Sequence, residues 1–255
     1  MADALAMVDG VLSALADARL PAADPAILLG WSVFETLAAH DGVALALEEH
    51  LRRLHASATA ALVPWPGDAL LRQEIATLLA AAPGDRRLRL TLTRGGSRML
   101  FALPADRGRR HQPMRCARGA HRDEPFLGGR TKHASRAPWA VAVARAGVDD
   151  VLLVDADGRF TEGTTCGVLA VIDGVLWTAP DDGRILASTM VEEILLRAAR
   201  AGVAVRREGP PANGPWDALY VASSTRDLAP VVALDGVPLP GWDPVGRSLL
   251  PPEGC

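Results

Sequence analysis

Apolar residues recur along this chain with two periods, and the switches between them mark its elements. MVDGVL, residues 7–12, sets an Asp-Gly pair inside apolar residues. ETLAAHDGVALAL, residues 35–47, repeats the device around Asp41-Gly42, and both stretches predict tight hairpins. LEEHLRRLHASATAAL then places Leu47, Leu51, Leu54, Ala58 and Leu62 at steps of three and four. That spacing predicts an amphipathic helix, ended by Pro64 and Pro66. ALLRQEIATLLAAA predicts a second helix. RRLRLTLTRGGSRMLFALP alternates through Leu88, Leu90 and Leu92, turns at Gly95-Gly96 and returns as a hairpin. Residues 104–131 lose all periodicity and are rich in Arg, Gly, His and Pro, with one short strand around Met114–Ala117.

Period returns after that gap. PWAVAVARAG predicts a helix. DDVLLVDADGRFTEGTTCGVLAVIDGVLWTA predicts three strands joined by two Asp-Gly turns, with Glu162 between two of them at a buried strand start. STMVEEILLRAARAG predicts a helix stopped by Gly202, and DALYVASS and PVVALDGVPL predict further strands. Strands and helices interleave with many hairpins, which indicates an α+β fold rather than a doubly wound one. Residues 1–112 read as a smaller N-terminal domain, 113–131 as a link and active-site loop, and 132–255 as a larger C-terminal domain.

Bulk composition narrows the function classes. The 255 residues are 49% hydrophobic and 22% charged, with a formal net charge of −3. That profile predicts a soluble globular protein with no nucleic-acid partner. No apolar run reaches the ~18 residues a membrane span needs. The start, MADALAMVDG, has an early Asp and no basic region, so no signal peptide is expected. Cys116, Cys166 and Cys255 are far apart and form no CxxC, as expected of free thiols in a cytoplasmic protein. The six histidines form no HExxH, and His50 and His55 are out of phase on a helix, so no metal site is expected.

Composition also raises a question of chemistry. Of 27 Lys plus Arg, one is lysine: Lys132, in GGRTKHASR. An arginine-rich coding bias can leave one lysine by chance. Lysine, however, loses its proton when desolvated and forms a Schiff base, and arginine does neither. Glu162 in TEGTTCG reads either as a solvent-facing turn residue or as a buried acid beside Gly163, Thr164 and Thr165. Ser223, Ser224 and Thr225 in ASSTRDLAP read as a turn or as a phosphate cradle. Ser188 and Thr189 stand where a helix starts, as an N-cap or as an anion site, and Arg52 or Arg53 adds a fixed positive charge. Together these match what pyridoxal phosphate requires: an amine, an acid for the ring nitrogen, and an anion cup.

GWSVFETLAAHDG, LEEHLRRLHASA, TRGG, TKHASR, the stretch through TEGTTCGV and SSTRDLAPVVALDG resemble fold-type IV pyridoxal-phosphate enzymes, in family order over most of the chain. That family includes branched-chain and D-amino acid aminotransferases and 4-amino-4-deoxychorismate lyase. The resemblance implies a two-domain fold and a homodimer. It implies that Lys132 carries the cofactor, Glu162 pairs with the ring nitrogen, and Arg53, Thr189 and Ser224 bind the phosphate. Ser188 and Ser223 flank that cup, and Ile185 or Leu186 packs on the ring. Lys132-His133-x-x-Arg136 and Ser224–Asp227 resemble the lyase subgroup, which implies release of pyruvate and 4-aminobenzoate for folate synthesis. The substrate, a small molecule with amine and carboxylate groups, would meet Thr36, Arg136 and Arg226, with Arg118, Arg122 and Arg130 in the same arginine-rich region. An aminotransferase is the alternative, and a catalytically silent relative the second. The chain departs from the family pattern at Gly30-Trp31-Ser32, at Ala187-Ser188-Thr189-Met190, and in a C-terminal helix cut short by Pro251 and Pro252.

Overall fold

The structure is a computed structural model that describes residues 4–122 and 126–251. The chain divides into two compact units, Met1–Arg107 with Pro125–Arg136, and Gly108–Glu124 with Ala137–Cys255.

The first unit holds β1 (Leu5–Val8), β2 (Val11–Ala14), α1 (Pro25–Leu29), β3 (Ser32–His40), β4 (Val43–Ala44), α2 (Leu47–Ala60), α3 (Asp68–Ala81), β5 (Arg86–Thr93) and β6 (Arg98–Pro104). Its six strands form one antiparallel sheet in the order β2-β1-β6-β5-β3-β4. The Asp9-Gly10 and Asp41-Gly42 pairs turn the two hairpins, all four residues at positive φ as such turns require. Leu51, Leu54 and Ala58 of α2 and Leu71, Ile75 and Leu78 of α3 share one core with Val33, Leu37, Leu88, Leu90 and Leu92 of the sheet. Leu62 departs from expectation. α2 stops at Ala60, and Leu62 lies beyond it at φ 56, 70% exposed.

The second unit holds β7 (Met114–Ala120), α4 (Ala137–Ala146), β8 (Asp150–Val154), β9 (Phe160–Gly163), β10 (Gly167–Ile172), β11 (Val175–Thr178), α5 (Thr189–Arg200), β12 (Val205–Arg207), β13 (Ala218–Ser223), β14 (Asp227–Leu234), β15 (Val237–Pro238) and α6 (Pro244–Ser248). Six of its strands close on themselves in the order β10-β13-β14-β7-β8-β9, and β9 returns to β10. This is a small barrel, whose closure leaves those strands without a free edge. The stretch expected to hold three strands holds four, because TEGTTCG makes a third turn. Glu162 therefore lies inside β9 rather than at the start of the next strand. Buried Val168, Leu219 and Val231 belong to one core of this unit, and Leu169, Ile194, Leu195 and Tyr220 to another that packs α5 on the sheet.

The domain boundary also differs from the expected one. Lys132 falls in the first unit, not the second. The cause is backbone pairing: Phe34 N donates to Lys132 O at 3.0 Å and Ala134 N to Ser32 O at 2.8 Å, so residues 132–134 run beside the start of β3. Gly30, at φ 66, makes room for this segment, since a Cβ there would stand 2.6 Å from Ser135 Oγ. No described helix is long and apolar enough to cross a membrane. Cys116 and Cys166 are buried free thiols, while Cys255 and Pro252 lie outside the described residues.

Leu54 is fully buried, so Leu54→Ala should cost about 2–5 kcal/mol in urea unfolding. Leu62→Ala should change stability by no more than about 0.5 kcal/mol.

Candidate functional site

In the first unit the reactive groups gather on β3 and α2. β3 alternates, so Val33, Glu35, Leu37 and Ala39 share the core-facing side and are all buried. A carboxylate in that apolar row needs strong partners. α2 supplies them from one face. Arg53 donates Nε to Glu35 Oε1 at 2.6 Å and Nη2 to Oε2 at 2.7 Å, and His50 Nδ1 stands 2.7 Å from Oε2. Burial pushes the Glu35 carboxyl up, but Arg53, then His50 and the Lys132 charge outweigh it and hold its pKa at about 2. An ionised carboxylate only accepts, so His50 Nδ1 carries the proton of that bond. One turn along α2, Ser57 Oγ accepts the backbone N–H of Lys132 at 3.1 Å. Of the two arginines in HLRRL, Arg52 is exposed and Arg53 is drawn in.

Lys132 Nζ lies 5.1 Å from the centre of the Phe34 ring, and the Arg89 guanidinium lies 3.9 Å from the same centre. Among the described residues, no carboxylate or carbonyl pairs with Arg89. Burial lowers its pKa, as do the like charges of Arg136 and Arg87. Thr36, two residues past Phe34 on the same side of β3, sits opposite Arg89 in the strand register. The expected Thr36 and Arg136 thus fall around Arg89, which the sequence reading passed over.

In the second unit Glu162 is half-buried on β9, and its Oε2 accepts Leu186 N at 3.3 Å. Glu162 faces Gly167 in the register, and Gly167 faces Ala222. The end of β13 and its turn Ser223–Asp227 therefore lie at the same barrel end as Glu162. In that turn Arg226 N donates to Ser223 O, and Arg226 O accepts His111 N at 3.0 Å. Thr189 Oγ1 meets Ser224 Oγ at 3.2 Å. Ser188 Oγ caps α5 by accepting Val191 N at 3.2 Å, so the N-cap reading of that residue holds.

The Thr164 and Thr165 hydroxyls, expected near the site, are committed elsewhere. Both donate to Asp150, as do their backbone N–H groups and Cys166 Sγ. Asp150 is fully buried and fixes the turn after Glu162 from beneath. Gly163 is required there, because a Cβ would collide with Cys166 Sγ. The sequence reading did not single out Asp150, Glu35 or His50, which hold the groups around these positions. Glu35 alone carried a signal, as a charged position inside an apolar alternation.

The donor sets fit pyridoxal phosphate. One unit offers a half-buried amine beside an aromatic ring and a fixed guanidinium. The other offers a carboxylate oriented by a backbone N–H, and two hydroxyls in contact at a helix start. Those are the donor types that pyridoxal phosphate requires. The chain belongs to the amino-transferase class IV family, which it matches over residues 32–234. Its fold is the fold-type IV aminotransferase fold, and its cofactor is pyridoxal 5'-phosphate. A Methanocaldococcus jannaschii protein named "Putative branched-chain-amino-acid aminotransferase" is 27% identical over 86% of this chain and 84% of its own. A Mycobacterium tuberculosis protein named bifunctional aminodeoxychorismate lyase / D-amino acid transaminase is 31% identical over 71% of this chain and 73% of its own. A hypothetical aminotransferase from Mycobacterium tuberculosis, solved with alpha-ketoglutarate and PMP, superimposes with a TM-score of 0.85 at 26% identity, over 96% of this chain and 95% of its own.

Glu35 has a folded pKa of about 2 against an ordinary 4.5. A depressed carboxyl stabilises the fold above its unfolded value and loses that contribution as pH falls through the folded value. The stability advantage of wild type over Glu35→Gln, on the order of 3 kcal/mol at neutral pH, should shrink between pH 4.5 and 2. Urea unfolding of both proteins across that range checks it.

Proposed function

We propose that this protein is an aminotransferase that exchanges an amino group between an amino acid and a 2-oxo acid, and that one partner of the exchange is a dicarboxylate. The observation that carries the reading is the Phe34 ring flanked by Lys132 Nζ and by Arg89, an arginine with no carboxylate of its own among the described residues. A half-buried guanidinium surrounded by like charge favours an anion, and a substrate carboxylate supplies one. The relatives' names support amino-group exchange more than elimination.

In this reading Lys132 would hold the cofactor covalently through Nζ and would move a proton at that atom. Glu162 pairs with the ring nitrogen, steadied by Leu186 N. Arg53, Thr189 and Ser224 bind the phosphate, flanked by Ser188 and Ser223, and Leu186 borders the ring. Arg89 receives a carboxylate, with Thr36 and Arg136 beside it, and Arg226 lies in the turn that carries Ser224. The bound cofactor supplies an electron sink for the carbon that bears the amine. We place the enzyme in the cytoplasm as a homodimer, which light scattering of the purified protein tests.

Two experiments test the activity. Purified protein given an amino acid alone should convert its cofactor to the pyridoxamine form and recover with a 2-oxo acid. Lys132→Arg should show no such change, because arginine cannot form the covalent link. Cofactor that stays unconverted across a panel of L- and D-amino acids would overturn the reading. Arg89→Gln should raise KM for glutamate or 2-oxoglutarate about ten- to a hundredfold and leave KM for a monocarboxylic 2-oxo acid little changed. Equal effects on both would remove Arg89 from the dicarboxylate role.

The second reading is 4-amino-4-deoxychorismate lyase. The Lys132-His133-x-x-Arg136 pattern and the bifunctional relative support it. Release of 4-aminobenzoate from aminodeoxychorismate without formation of the pyridoxamine form would favour it.

A further inference from the structure

We infer that Glu35 is a positioning residue for cofactor binding: from inside β3 it grips one edge of the Arg53 guanidinium and so aims the rest of that group at the cofactor phosphate. The inference rests on the phosphate role proposed above for Arg53.

The placement of Glu35 is the first argument. Its row on β3 is otherwise Val33, Leu37 and Ala39, all buried, and the packing there asks for an apolar side chain. A charge that breaks a local packing rule needs a reason beyond stability, because a buried ion pair can often be replaced by apolar residues at no loss. The bonding pattern is the second argument. Glu35 takes Nε and Nη2 of Arg53 at 2.6 and 2.7 Å, the two nitrogens on one side of the planar fork. A guanidinium held along one edge has fixed orientation, and its remaining donors point in a fixed direction. His50, three residues earlier on α2, stands 2.7 Å from the same carboxylate and keeps it from swinging.

The third argument is the helix itself. Arg53 and Ser57 are one turn apart on α2, and Ser57 Oγ accepts the Lys132 backbone N–H. One helix face thus sets both the backbone of the cofactor lysine and the arginine that Glu35 orients. The Lys132 charge adds a smaller share to the lowering of the Glu35 pKa, after Arg53 and His50.

The test is equilibrium binding to the apo-protein, with no turnover involved. Pyridoxal phosphate, and pyridoxal without its phosphate, are titrated by absorbance into wild type, Glu35→Gln, Arg53→Ala and the double variant. Glu35→Gln and Arg53→Ala should each weaken pyridoxal phosphate binding about tenfold or more, and the double variant should be no weaker than Arg53→Ala alone. Pyridoxal should bind wild type and Glu35→Gln alike. A purely structural ion pair would lower Tm without this phosphate-dependent loss. Wild-type affinity in Glu35→Gln, or an equal loss for both ligands, would overturn the proposal. So would a double variant weakened by the product of the single effects. If Arg53→Ala itself binds pyridoxal phosphate normally, the phosphate role of Arg53 falls and this inference with it. Weakened binding in Arg53→Ala beside normal binding in Glu35→Gln sinks this inference alone. Should Glu35→Gln fail to fold, Arg53→Lys decides. It keeps the charge but loses the fork, so it should bind as weakly as Arg53→Ala, and wild-type affinity there would overturn the proposal.

Discussion

The barrel of the second unit depends on one pairing. A sheet becomes a barrel when its last strand meets its first, and here β9 meets β10 where Glu162 faces Gly167. Glu162, the carboxylate proposed to pair with the ring nitrogen, therefore stands at the seam. A strand end at such a seam is fixed only if the turn beyond it is fixed. Asp150 does this by gathering the N–H and hydroxyl groups of Thr164 and Thr165 under the turn. The position of Glu162 is thus a consequence of barrel closure, and TEGTTCG is as much an architectural sequence as a chemical one.

The first unit solves a different problem. It must hold cations beside a hydrophobic sheet without losing them to solvent. Around β3 it does so with the buried carboxylate of Glu35 and the aromatic ring of Phe34, on opposite sides of the strand. Glu35 neutralises Arg53. Phe34 offers its face to Lys132 and Arg89, an attraction that orders charged groups without cancelling their charge. Among the described residues no carboxylate neutralises Arg89, which suits the role proposed for it with a substrate carboxylate. The same short stretch, Phe34-Glu35-Thr36, thus addresses two sides of the sheet with different chemistry.

The elements were largely legible, because turn chemistry and period speak locally. The Asp-Gly hairpins at residues 9–10 and 41–42, α2, α3, α5 and the β5–β6 hairpin stand where the pattern places them. Errors came where a local signal met a longer-range demand. Leu62 has the right spacing for α2, yet the chain leaves the helix two residues before it, at Ala60. TEGTTCG reads as a bend before a strand, yet pairing of β9 with both β8 and β10 makes Glu162 part of a strand.

The sequence alone determined the chemistry available: one lysine, a glutamate among small residues, and serine and threonine at a helix start and a strand end. These are matters of residue type and spacing, which need no tertiary contact to be read. Only the tertiary structure decided which groups are committed and to what. Thr164 and Thr165 went to Asp150, Ser188 to the helix cap, and Arg53 rather than Arg52 to Glu35, while Arg89 emerged without a carboxylate partner among the described residues. Asp150 precedes Thr164 by 14 positions and Glu35 precedes Arg53 by 18. Partnerships at that separation are set by strand register and helix packing, and no local period along the chain records them.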